Sequence, residues 1–312
     1  MQNEKPKIIV IEGPTATGKS DLAVFVAQKI EGLTAMPAHA GQAGEVISAD
    51  SRQVYKGMDL GTGKITKKEQ GGIPHHLLDV MSPKKIFTVV DWKKQTEKAI
   101  EKILKKGGVP IICGGTGFYI QSIVDDVDVP DVPPNKKLRA SLRKKTTDEL
   151  FEMLKKLDTT RAGNIDPKNP VRLIRAIEIA DAIGHVPEFK RNAPKYKILQ
   201  IGLILNKEGL AEKIHTRLIK RIKAGMIREV RGLQKKGVSW KHLYDFGLEY
   251  RCIGQFLQKK MSKNEMLAKL TTEINRYAKR QIAWFKRDKK IKWFNPKERA
   301  KILSTVKKFL KP

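Results

Sequence analysis

One octapeptide constrains this chain more than anything else in it. Gly13-Pro14-Thr15-Ala16-Thr17-Gly18-Lys19-Ser20 has the spacing G-x-x-x-x-G-K-[ST]. It follows an Ile- and Val-rich run, Lys7–Ile11, and opens a segment, Lys19–Glu31, with Leu22, Phe25, Val26 and Ile30 at helical spacing. Between a buried strand and a helix, such a loop turns successive backbone N–H groups inward around phosphate oxygens. The helix N-terminus adds a favourable dipole, Lys19 a compact positive charge and Ser20 a hydroxyl suited to Mg²⁺. The pattern predicts binding of a diphosphate or triphosphate without specifying a nucleotide. A chance glycine-rich turn is the alternative.

Further apolar runs extend this beginning into an α/β fold. Glu45–Ala49 reads as a second strand, Asp91–Lys106 as an amphipathic helix closed by Gly107 and Gly108, and Val109–Cys113 as a third strand. Ile198–Leu205 and Ile291–Phe294 complete the set. Strands alternating with helices predict a parallel sheet covered on both faces, with ligands beyond the carboxyl ends of the strands. The stretch 128–196 differs. Pro130, Pro133 and Pro134 punctuate its entry, and helical patterns follow at Asn135–Lys145, Thr147–Leu157 and Pro170–Ile183 without a strand signal. It reads as a helical insertion into a core formed by 1–127 and 197–312, whose last part is basic and helical. Gly32–Gly44 reads as a loop.

Charge points to a polyanion. The 312 residues include 63 Lys and Arg against 33 Asp and Glu, a net +30. Arg251–Pro312 holds 19 basic and 4 acidic residues, so half the excess lies in the last fifth of the chain. Neutralising phosphates with such a segment releases counterions, and the natural partner is a nucleic acid; a solvated basic surface is the alternative. No run approaches the length of a membrane span, no leader pattern precedes the first strand, and Cys113 and Cys252 form no metal-spaced cluster. A cytoplasmic, monomeric protein is expected.

Several side chains fall at the predicted strand ends. Asp50 closes the second strand and suits a Mg²⁺ ligand, a general base or a capping aspartate. Thr116, in Cys113-Gly114-Gly115-Thr116-Gly117, offers a hydroxyl either to a site or to a helix cap. Lys213, Arg217 and Arg221 recur every four residues on one helix face, as a solvated row or as a clamp on a leaving group. Arg172, Arg175 and Arg251 suit RNA contacts or ordinary salt bridges. His75 and His76 lack accompanying ligands and read as loop or packing residues.

Taken together, GPTATGKS, ISADSRQVYKGMDLGTGK, PHHLLDV, CGGTGFYIQ, NPVRLIRAIEI and LEYRCIGQ resemble, in order and over nearly the whole chain, the tRNA dimethylallyltransferases, also called tRNA isopentenyltransferases. The resemblance implies a phosphate-loop NTPase-like sheet whose loop has been turned from nucleotide to dimethylallyl diphosphate. It implies catalytic roles for Asp50 as the base near adenine N6, for Lys19, for Thr116 in positioning, and for Arg217 on the diphosphate, with Mg²⁺ at Ser20. It places Asp50, Ser51, Arg52, Gln53 and Thr116, then Val171, Arg172, Leu173, Ile174 and Arg175, then Arg251, Cys252, Ile253, Gly254, Gln255 and Phe256, against tRNA. The insertion then grips the anticodon stem-loop, and the target is the adenosine at position 37. Two features stand apart: a Gly32–Gly44 connection longer than usual in the family, and no zinc-finger tail of the kind some eukaryotic members carry. Rival readings are a small-molecule or nucleoside kinase using ATP, an adenylate prenyltransferase and a non-catalytic RNA-binding module.

Overall fold

The computed structural model describes residues 5–30, 44–188 and 192–311, so most of the predicted Gly32–Gly44 loop lies outside the described residues. The chain divides into two compact units, Met1–Asp126 with Ala193–Pro312, and Val127–Asn192. The sequence reading set the insertion at 128–196.

The larger unit is built on a six-stranded parallel sheet. Its strands are β1 (Lys7–Glu12), β2 (Gly44–Ala49), β3 (His75–His76), β4 (Val109–Gly114), β5 (Lys197–Leu203) and β6 (Lys292–Phe294), in spatial order β3-β2-β4-β1-β5-β6. Every strand that the sequence predicted is present within two residues of its expected bounds. The two-residue β3 was not foreseen, because a strand so short has no alternation to read. It pairs with Val46 and Ile47, and His76 Nε2 lies 2.6 Å from Glu45 Oε2. The paired histidines thus serve packing and edge pairing.

Helices of this unit are α1 (Lys19–Ile30), α2 (Lys67–Gln70), α3 (Val89–Lys105) and α4 (Gly117–Val124). The smaller unit contributes α5 (Lys136–Leu142), α6 (Thr147–Leu157), α7 (Thr159–Gly163) and α8 (Pro170–Ile183). The larger unit then resumes with α9 (Lys207–Ala224), α10 (Met226–Lys235), α11 (Trp240–Phe246), α12 (Leu248–Leu257), α13 (Lys263–Phe285) and α14 (Arg299–Leu310). Helix α3 begins two residues before the sequence reading. Thr88 accepts the Asp91 amide while Asp91 accepts from the Thr88 amide, a reciprocal cap that fixes the start.

Alternation along the strands sorts the core into two layers. Ile9, Ile11, Ile111, Leu199 and Ile201 pack on one sheet face with α1 and with Ile302 and Val306 of α14. Ile8, Val10, Ile47 and Ile112 face the other layer, with residues of α3, α4 and α9–α13. Residues two apart on a strand share a face, which is why short all-apolar strands supply both layers. Trp92 is fully buried there, and its indole N–H donates to the Ser48 carbonyl at 2.9 Å.

The smaller unit has its own core of Leu142, Leu150, Leu154, Leu173, Ala176 and Ile177. Within it, Glu178 is buried and accepts from the Asn135 amide, from both Arg139 Nε and Nη2, and from Arg175 Nη1 at 2.5 Å. A buried carboxylate is tolerable when its lone pairs are satisfied in this way.

Candidate active site

Strands β1 and β4 lie side by side, with Glu12 in register with Gly114. The loops that leave their carboxyl ends are therefore neighbours, as is usual where ligands bind open α/β sheets. Gly13 leaves β1 at φ +136°, and a Cβ there would stand 2.5 Å from the Leu203 carbonyl oxygen, so only glycine fits. Within the loop, the Thr17 hydroxyl donates to the Pro14 carbonyl at 2.9 Å, and Lys19 Nζ donates to the same oxygen at 2.6 Å. Burial, with repulsion from Arg217, lowers the Lys19 pKa from 10.5 to about 8.

Helix α9 brings its arginines to this loop. Arg217 Nη2 donates to the Thr15 hydroxyl; burial, and then Arg221, lower the Arg217 pKa to about 10. One turn on, Arg221 Nη1 lies 3.7 Å from Glu249 Oε1. Burial raises the Glu249 pKa, with Arg221 opposing it. Lys213, the third member of the row, is exposed and does not line the cavity.

Asp50 both caps a turn and faces the cavity. Its Oδ1 accepts the amides of Arg52 at 2.8 Å and Gln53 at 3.3 Å, so this oxygen does cap a turn. Yet the residue also lines the cavity, and no helix begins at Ser51–Gln53. Thr116 sits at the N-cap position of α4 but makes no side-chain cap bond. Its hydroxyl instead accepts the Ser51 amide at 3.1 Å, which ties the two strand-end turns together.

Of these groups, Thr15, Asp50, Arg217, Arg221 and Glu249 line one cavity of about 210 Å³. Thr15, Asp50, Arg217 and Arg221 supply its polar wall; Phe246, Leu248, Ile274 and Tyr277 supply an apolar one. Arg52 spans the two, donating to the Phe246 carbonyl at 2.9 Å with its guanidinium 5.7 Å from that ring. The cavity offers cationic groups suited to an anion, apolar side chains suited to a small apolar group, and the carboxylate of Asp50.

Of the residues assigned to RNA contact, the structure gathers Asp50, Ser51 and Arg52 at the cavity, with Gln53 half-buried beside them. Val171 is 76 % exposed and Arg172 is exposed, and Ile174 is half-buried. Arg175 makes the salt bridge that was its alternative reading. Arg251 stacks 4.4 Å from the Tyr244 ring centroid, and Gln255 and Phe256 are half-buried. Four assignments need correction. Leu173 is 0 % exposed, inside the core of its unit, while Cys252, Ile253 and Gly254 are buried on the inner face of α12. A helix turns successive residues through its buried face, so a contiguous segment cannot present every side chain to a partner.

Sequence reasoning missed Glu249, Tyr277 and Gln281. A signal for Gln281 existed. Ile274, Ala278, Gln281 and Phe285 form the buried stripe of α13, and a lone amide on an apolar stripe marks a buried hydrogen-bonding role. Glu249 lies just before the segment Arg251–Phe256 that was assigned to RNA contact, and nothing in its local spacing marks it.

Comparison with known proteins places this geometry. The family model described as IPP transferase matches residues 53–288. A tRNA dimethylallyltransferase 2 of Treponema denticola is 41 % identical over 293 residues, covering 92 % of this chain and 94 % of that one. The solved tRNA isopentenylpyrophosphate transferase of Bacillus halodurans matches with a TM-score of 0.72 and 30 % identity, over 98 % of this chain and 97 % of that one. That of Staphylococcus epidermidis matches at 0.68 and 32 %, over 97 % and 98 %. These relatives favour the prenyltransferase reading over the kinase one, and the chain belongs to the IPP transferase family.

Proposed function

We propose that this chain transfers a dimethylallyl group from dimethylallyl diphosphate to N6 of adenosine 37 in tRNA. The observation that carries this reading is one cavity lined by Thr15 of the phosphate loop, two buried arginines, a carboxylate and an apolar wall. The relatives disfavour a kinase, and a passive RNA-binding module has no use for the loop.

In this reading the diphosphate lies against Gly13–Ser20, with Lys19 and Arg217 offsetting charge that builds on the leaving oxygen. The prenyl group rests among Phe246, Leu248 and Ile274. The adenine leaves its stack to enter the cavity. Its exocyclic nitrogen attacks the allylic carbon as the carbon–oxygen bond breaks, and the proton passes to Asp50 Oδ2, since Oδ1 is engaged by two amides. Mg²⁺ would add charge neutralisation at the diphosphate. Its donors would be the Ser20 hydroxyl and substrate oxygens, because among the described residues no cluster of three His, Cys, Asp or Glu forms a cage. Mg²⁺ typically keeps few protein ligands beside phosphate oxygens and water, which that donor set fits.

The second unit, with Val171 and Arg172 on its surface, grips the anticodon stem-loop. Among the described residues no helix is long and apolar enough to cross a membrane; a monomer working in the cytoplasm is part of the proposal. The test is direct: incubate labelled dimethylallyl diphosphate or ATP with tRNA, AMP or buffer. Label in tRNA from the prenyl donor alone supports the proposal; label from ATP, or prenylated AMP, overturns it.

A further inference from the structure

Helix α13 carries an amide that joins the two halves of the cavity. Gln281 is 6 % exposed. Its Oε1 accepts the backbone N–H of Thr15 at 2.8 Å, and its Nε2 donates to the carbonyl of Gly115 at 2.8 Å. One partner belongs to the phosphate loop after β1; the other belongs to the turn after β4. The donor and acceptor demands of the two loops fix which way the amide points. Gly115 has no room for a side chain, because a Cβ would collide with Gln281 Nε2.

The two loops hold different parts of the site. Thr15, whose amide Gln281 accepts, receives Arg217 on its hydroxyl. Thr116, next to Gly115, accepts the Ser51 amide and so holds the turn that carries Asp50. The chain of contacts therefore runs Arg217–Thr15–Gln281–Gly115, then through Thr116 and Ser51 to Asp50. It links the phosphate loop to the turn that carries the carboxylate, beyond the strand pairing that brings the two loops together. Both polar atoms of Gln281 are engaged by backbone, and the residue does not line the cavity.

Resting on the function proposed above, we infer that Gln281 is a positioning residue, a cross-brace that holds the diphosphate loop in register with the Thr116–Asp50 side of the site. A glutamine is suited to this task because one planar group must accept at one end and donate at the other. An ionised carboxylate only accepts, a thioether has no donor, and a hydroxyl must donate and accept through one atom, so none of them spans the two loops in this way. Asparagine has the chemistry but is one methylene shorter.

The expected consequence is a loss of turnover without a matching loss of affinity. In Gln281→Ala, kcat for prenyl transfer should fall about 100-fold, the scale of an ångström-sized misplacement of reacting groups. Dissociation constants for the diphosphate substrate and for tRNA should change less than threefold. Gln281→Glu provides a second variant of the same shape. Ionised, it presents an acceptor to the Gly115 carbonyl; protonated, it donates there and accepts from Thr15, as the native amide does. The ratio of variant to wild-type kcat should therefore rise as pH is lowered from 8 to 6, a rescue that a purely structural role would not produce. The Thr15 amide should also exchange its hydrogen faster in Gln281→Ala than in wild type. Unchanged kcat in a folded Gln281→Ala, or a kcat ratio for Gln281→Glu that falls as pH is lowered, would overturn the inference; a flat ratio near one counts for it, as the protonated carboxyl reproduces the amide, and a flat ratio as low as that of Gln281→Ala counts for it too, as the carboxylate cannot donate. If wild type itself transferred no prenyl group, the functional reading alone would fail. Thr15 amide exchange would still decide the brace, unaltered rates counting against it.

Discussion

The guanidinium of Arg221 stands where a side chain on Gly63 would begin. Gly63 also holds φ +62°, so both space and backbone call for glycine there. Arg221 has little freedom to yield, being largely buried against Glu249. Gly63→Ala should push Arg221 off the cavity wall and weaken diphosphate binding. The loss should be smaller than that in Arg221→Ala, because a displaced arginine keeps its charge nearby. Equal affinity in Gly63→Ala and wild type, measured by titration calorimetry, would show that Arg221 does not act on the anion.

Lys19→Ala should cost turnover about 3 kcal/mol or more, the usual scale for removing one contact to developing charge. Binding of tRNA should be nearly unchanged, since its phosphates are expected to meet other surfaces. Single-turnover transfer and filter binding separate the two effects.

Diphosphate affinity should also fall with rising pH. Lys19 is already lowered to about 8 in the free protein. Its charged form is stabilised by the bound anion, so binding takes up a proton once the free lysine has lost its own. Affinity is therefore level below pH 8 and declines above it, by at most about tenfold per pH unit for one linked proton. In Lys19→Ala that slope should vanish, which a Kd series between pH 7 and 9.5 would reveal.

Asp50→Asn distinguishes a base from a metal ligand. As a base, the carboxylate is needed for proton removal, so kcat should fall while diphosphate affinity stays near wild type. As a ligand, its loss should instead raise the Mg²⁺ requirement for binding. Diphosphate Kd across a Mg²⁺ titration, alongside single-turnover transfer, decides; normal transfer at saturating metal would remove Asp50 from proton transfer.

Glu178 governs the smaller unit rather than the chemistry. Burial opposes its charge, but hydrogen bonds from Arg139, Arg175 and the Asn135 amide outweigh burial and hold its pKa below the usual carboxylate value. A depressed carboxylate stabilises the fold above its unfolded pKa, and that contribution is lost as pH falls through the folded value. Glu178→Ala would leave two arginines facing an empty place, at a cost on the order of 3 kcal/mol. Thermal melts of wild type and variant should converge in acid. Parallel melting curves across the same range would show the ion network to be inert.

Much of this architecture was legible because short-range rules govern it. The five apolar runs are strands, and α6 and α8 begin and end where Thr146, Asn169 and Gly184 cap them. The phosphate loop was legible for the same reason: its function resides in contiguous backbone. The opposite cavity wall was not. Phe246, Glu249 and Tyr277 come from three helices whose approach depends on packing across the sheet face. In such places a residue's role follows from what it meets, and local spacing carries no trace of that. Asp50 shows the middle case, with its position foreseen and the engagement of its Oδ1 by two backbone amides visible only in three dimensions.

The sheet order has a consequence for how the molecule breathes. Strand β1, from which the phosphate loop hangs, is hydrogen-bonded on both sides, to β4 and to β5. Strand β3 has one neighbour and two residues. Amides of Ile8–Ile11 can be released only when the sheet itself comes apart, whereas the β3 edge can open alone. The anchor of the anion site therefore belongs to the slowest-exchanging class of the protein, and fluctuations that admit or release a substrate must arise in the helices and turns facing it.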